Sequence, residues 1–66
     1  PLSHVFDEVE RQFNVVIKVK NFNPQSISFT GSFNNQNFSS AIKSICKPLG
    51  LAYSIDRESN VIWVAR

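Results

Sequence analysis

The chain is poor in the residues that most catalytic and metal sites require. Its 66 residues include one His and one Cys. A single thiol excludes an internal disulfide, and a lone Cys is compatible with either redox compartment. His4 and Cys46 form no cluster with metal-ligand spacing, so neither a metal nor a cofactor is expected. Gly31 and Gly50 are the two glycines. Neither precedes a helix in the pattern that phosphate-cradling loops need. No apolar run approaches the roughly 18 residues of a membrane span. The first residue is Pro rather than Met and no signal-peptide pattern is present. The chain thus reads as a processed product or an excised domain, with targeting information outside it.

Charge is also sparse. Charged residues make up 18% of the chain and the formal net charge is +2. Arg11, Lys18, Lys20, Lys43, Lys47, Arg57 and Arg66 are spread along it with no run of three. A nucleic-acid surface usually concentrates such residues, so no nucleic-acid partner is expected. A small nucleic-acid-binding domain remains the rival reading from a different functional class. Salt-dependent retention on DNA or RNA would support that rival.

What is present is apolar and patterned. Hydrophobic residues make up 42% and six residues are Phe, a globular rather than a disordered composition. The pattern occurs twice. Leu2, Phe6, Val9, Phe13, Val15, Ile17 and Val19 align with Phe38, Ile42, Ile45, Leu49, Leu51, Tyr53 and Ile55, 36 residues apart at every step. The break between the apolar runs also repeats, as Asn14 and as Gly50.

The spacing predicts a helix over 2–13, with Leu2, Phe6, Val9 and Phe13 on one face and a favourable Asp7–Arg11 pair on another. Asn14 suits a left-handed helix ending. A strand over 15–20 follows, then a loop over 21–25 and an alternating strand over 26–30, with Gly31 as a bulge. The loop 34–37 offers N-cap candidates. The second helix covers about 38–49, with Phe38, Ala41, Ile42, Ile45 and Leu49 inward and a Pro48 that should distort its last turn. Strands over 51–55 and 61–65, joined by a tight turn at 57–60, close the chain. The order reads α-β-β-α-β-β. This is an α+β fold of two α-β-β repeats, with two side-by-side helices sandwiched between small sheets, in a single domain over 1–66. A strand leads into the second helix, whereas its counterpart before Pro1 is missing.

Few side chains suggest chemistry. His4 reads as a packing or surface residue on the first helix, and Cys46 as a small buried hydrophobe. Asn37-Phe38-Ser39 matches a glycosylation acceptor but sits at a helix start. Phe29 and Phe33 could stack bases on a sheet, yet alternate spacing also sends both into a core, which is the favoured reading. Trp63 is the most informative residue. Both faces of 61–65 are apolar, whereas 26–30 has a polar face. Either the last strand is covered on both sides or one face meets a partner. Trp63, Val61 and Val16 are the candidate partner-binding residues, and no catalytic residue is expected.

Pro1-Leu2-Ser3, Val5-Phe6-Asp7-Glu8-Val9 and Phe13-Asn14-Val15 resemble the start of the short N-terminal (STN) domain shared by secretins and TonB-dependent receptors. Phe29-Thr30-Gly31-Ser32-Phe33 does so too, as does the stretch Ala41-Ile42…Ile45-Cys46-Lys47-Pro48-Leu49-Gly50-Leu51-Ala52-Tyr53-Ser54-Ile55. The chain resembles in particular the C-terminal domain of FecR-like anti-sigma regulators of Bacteroidetes, over essentially all 66 residues. That resemblance implies helices sandwiched between small sheets and no transferable catalytic residue. It implies a periplasmic domain of a single-span inner-membrane protein, whose span and sigma-factor-binding part lie outside this chain. The implied partner is the signalling domain of a TonB-dependent outer-membrane receptor. The same-fold alternative is the signalling domain of a receptor or secretin itself. A chain ending just past its last strand favours the anti-sigma regulator.

Overall fold

Two amphipathic helices and three short strands are laid down by the repeated pattern. The computed structural model describes residues 1–33 and 36–66, so Asn34 and Asn35 of the expected 34–37 loop lie outside the described residues. Helix α1 spans Leu2–Phe13 and helix α2 spans Phe38–Leu49. Strand β1 is Val16–Lys20, β2 is Ala52–Asp56 and β3 is Val61–Ala65. A short 3-10 turn, Pro24–Ser26, lies between β1 and α2.

The two helices end alike. Asn14 (φ 57°) and Gly50 (φ 69°) both take the left-handed conformation. After α1, the Val15 N–H donates to the Glu10 carbonyl at 3.3 Å. After α2, Leu51 N–H donates to the Cys46 carbonyl at 3.0 Å and Gly50 N–H to the Lys47 carbonyl at 3.2 Å. These are the six-to-one and five-to-two bonds that close a helix C-terminus, and Val15 and Leu51 are the buried apolar residues that accompany them. Pro48 does not stop α2, which runs on to Leu49.

The beginnings differ. The Asn37 side chain accepts the Ser40 N–H at 2.8 Å and caps α2. Among the 34–37 cap candidates, Asn37 therefore fills the role. Helix α1 has no side-chain cap; its Leu2 N–H instead donates to the Ile27 carbonyl at 2.8 Å. Arg11 pairs with Glu8 rather than with Asp7, three residues back instead of four.

The strands form one sheet in the order β1-β3-β2. Strand β3 is central, parallel to β1 and antiparallel to β2. Rows across the sheet alternate between faces. Ile17, Ile62 and Ile55 form one inward row, and Val16, Val61 and Asp56 an outward one. Both helices pack on the inward face. Leu2, Phe6 and Val9 of α1 meet Ile42, Ile45 and Cys46 of α2 and Ile62 and Val64 of β3 in one buried cluster.

The α+β architecture and both helix-cap-strand units agree with the sequence reading. Among the described residues a second sheet does not form. Residues 27–30 carry no strand pairing and Gly31 (φ 106°) is a turn residue rather than a bulge. Their alternation still sorts side chains, since Ile27, Phe29 and Phe33 pack against the core cluster. Alternation specifies which side is wet, but a strand also needs a neighbour for its backbone groups. Both edges of β3 are already taken, and this segment packs along α1 instead.

Candidate functional site

Among the described residues, one face of the sheet has no covering layer. On it, Val16, Lys18 and Lys20 of β1 lie beside Val61, Trp63 and Ala65 of β3, with Ala52, Ser54 and Asp56 of β2 beyond. The large hydrophobic residues classed as exposed among the described residues are Val16 (47%), Trp63 (38%) and Tyr53 (37%). Val16 and Trp63 are on this face, whereas Tyr53, opposite the inward Val64, is on the other. A buried strand apolar on both faces would normally be covered on both. Strand β3 is covered on one, so the apolar character of Val61, Trp63 and Ala65 is not explained by the core of this chain.

Local sequence places these groups. Strand β3 enters after Asn60, whose left-handed φ of 57° ends the 57–60 turn. The Asp56 side chain steadies that turn by accepting the Glu58 N–H at 3.1 Å. The Asn60 carbonyl then accepts the Val16 N–H at 2.9 Å, which fixes the parallel register and sets Val16 opposite Val61. The candidate residues Val16, Val61 and Trp63 are thereby brought onto one surface. Two ammonium groups stand over the indole, Lys20 Nζ at 4.8 Å and Lys18 Nζ at 5.7 Å from the ring centroid. Both distances are within cation–π range.

The two sheet edges are unequal. On β1, the Ile17 N–H donates to the Glu10 carboxylate at 2.8 Å. That bond closes a backbone donor which an added strand would otherwise use, and Lys18 and Lys20 reinforce the protection. No comparable side-chain cap protects β2 among the described residues. The helix spacing gives no sign of this role for Glu10, because its partner lies seven residues away on another element.

The remaining candidates do not converge. Cys46 is fully buried, and burial pushes its thiol up to about 11, which disfavours the reactive thiolate. His4 is exposed on α1. No group of three or more His, Cys, Asp or Glu that could hold a metal exists among the described residues. Phe29 and Phe33 face the core, not a stacking surface. A surface hollow of about 550 Å³ is lined by Ser40, Lys43, Ser44, Lys47 and Pro48, all from α2. It is a helix flank and gathers no side chains from a second element. Lys43 and Lys47 belong to the helix layer, and Lys18 and Lys20 to the open face of the sheet, so the basic residues form no single stripe. No helix among the described residues is long and apolar enough to cross a membrane.

Comparison with known proteins bears on what this face serves. No curated protein and no solved structure matches the chain. The model of the family described as FecR, C-terminal matches residues 1–64, nearly the whole chain. With its two capped helices under a small sheet, the chain belongs to the FecR C-terminal family, a signalling domain of FecR-like anti-sigma factors.

Proposed function

We propose that the 66 residues act as one non-catalytic, protein-binding domain on the periplasmic side of an inner-membrane anti-sigma factor. In this reading the domain docks the signalling domain of a TonB-dependent outer-membrane receptor. It relays the state of that receptor to an extracytoplasmic-function sigma factor, which is held by other parts of the full-length protein. The observation that carries the reading is the uncovered sheet face, with Val16, Val61 and Trp63 side by side. Aromatic residues in such a setting are frequent anchors of protein interfaces.

Two routes of docking are open to a sheet of this shape. A partner can lie across the outer face, or its strand can extend the sheet at an edge. With the β1 edge closed at Ile17 by Glu10, edge pairing is directed to β2. Face docking uses Trp63 directly, and in this reading the partner lies across the outer face.

The test is a calorimetric titration of this chain with the signalling domain of a candidate TonB-dependent receptor from the same organism. Trp63→Ala is expected to weaken binding at least tenfold, a loss of about 1.4 kcal/mol or more, while leaving the circular dichroism spectrum unchanged. Unchanged affinity in a folded Trp63→Ala variant would remove Trp63 from the interface. No binding by the parent chain would remove the receptor as partner.

A further inference from the structure

The outer face has a charge character as well as an apolar one, and that character selects its partner. Lys18 and Lys20 are two residues apart on one strand, so their ammonium groups share one side of the sheet and converge on one ring. Like charges held together repel unless an anion lies between them. The ion pair found among the described residues joins Arg11 to Glu8 on α1, in the other layer. Glu10 is engaged with the Ile17 N–H, and Asp56, at the far end of the face, with the Glu58 N–H. Neither lysine has a carboxylate within ion-pair distance among the described residues. Beside them a shallow hollow of about 360 Å³ opens between Lys20, Ala52, Tyr53, Ser54, Trp63 and Ala65. These side chains bring an ammonium, two hydroxyls and two aromatic rings, and no carboxylate.

We infer that this face takes a protein segment whose carboxylates seat between Lys18 and Lys20 while an apolar side chain covers Trp63. The inference rests on the docking reading above and adds the chemistry of the occupant. An anion bridging two lysines relieves their repulsion. Ammonium groups drawn towards that anion move off the ring, which opens the indole to the neighbouring apolar residue. Such attraction is screened over roughly 8 Å at physiological salt, so binding weakens as salt rises.

The experiment uses the labelled 66-residue chain and three extended decapeptides, alternating valine with glutamate, glutamine or lysine. The Trp63 indole N–H and the Lys18 and Lys20 amides are followed by NMR. The expected result is a saturable shift of these signals with the glutamate peptide alone. That binding should weaken about tenfold in the Lys18→Gln/Lys20→Gln double variant, whose changes are on the solvent face. Four results would overturn the inference: an equal response to the glutamine peptide, shifts centred elsewhere, a response to anionic phospholipid vesicles but not to the glutamate peptide, or shifts produced by raising the concentration of the chain alone. The receptor signalling domain forms a separate arm. Tight binding there that ignores both salt and the lysine substitutions overturns the acidic occupant and leaves docking intact. Peptide binding without receptor binding does the reverse.

Discussion

The two halves of this chain share a helix, a cap and a strand, and then part company. Helices α1 and α2, caps Asn14 and Gly50, and strands β1 and β2 all begin and end 36 residues apart. After β1 the chain enters a 3-10 turn and an unpaired extended segment, whereas after β2 it turns tightly at 57–60 into β3. Ile27 and Phe29 in the first half answer to Ile62 and Val64 in the second, and both pairs face the core. The outward residues differ: Ser26, Ser28 and Thr30 against Val61, Trp63 and Ala65. One strand, β3, therefore serves both halves, pairing with β1 and β2 together. Duplication supplied two equivalent supports, and the difference between their final segments produced a single apolar face.

The largest test of that comparison is in the core. Ile62→Ala is expected to destabilise the fold by about 2–5 kcal/mol in urea denaturation, because the site is fully buried under both helices. Ile27→Ala, at a half-buried position with no strand pairing, should cost about 1–2 kcal/mol. Equal losses would mean that 27–30 contributes as a strand does.

Alkaline pH offers a second test, specific to α2. Burial raises the Cys46 thiol from 9.0 to about 11, so the folded state holds that proton more tightly than the unfolded one. The resulting stability is fully present below pH 9 and is lost as pH rises from 9 towards 11, by roughly 2–3 kcal/mol. Cys46→Ala should flatten that part of the stability curve. An unchanged slope in the variant would assign the loss to other groups.

The caps give a smaller and more symmetrical comparison. Gly50→Ala is expected to cost about 1 kcal/mol through its positive φ alone, since nothing lies within 4 Å of the added methyl. Asn14→Gly should stabilise slightly, by less than about 1 kcal/mol. Thermal unfolding of the two variants checks both signs. The smallest expected change in fold stability comes from Glu10→Gln, which keeps an acceptor for the Ile17 N–H but removes its charge. A loss of under about 1 kcal/mol is anticipated, with no change of sedimentation coefficient relative to the parent chain.

Much of this was legible in the sequence because helices and caps are local. Apolar spacing at three and four residues marked α1 and α2, and Asn14 and Gly50 marked their ends. The pairing of strands was not legible, since it depends on which neighbour wins a shared edge. Residues 26–30 alternate as a strand does, yet β3 accepts β1 and β2 and leaves them none. The anomaly at Trp63 could be read early, because an apolar outward row contradicts burial on one side. That Val16 and Val61 would stand opposite each other followed only from the parallel register fixed at Asn60. The Glu10 contact with β1 was invisible for the same reason.

On the proposed reading the open face of the sheet, and not the helix layer, meets the partner. A residue-resolved NMR footprint of the receptor signalling domain on the labelled chain tests it most directly. Perturbation is expected at Val16, Lys18, Val61 and the Trp63 indole, with Ser40, Lys43 and Lys47 on α2 unaffected. A footprint centred on Ser40, Lys43 and Lys47, with the Trp63 indole unmoved, would contradict it.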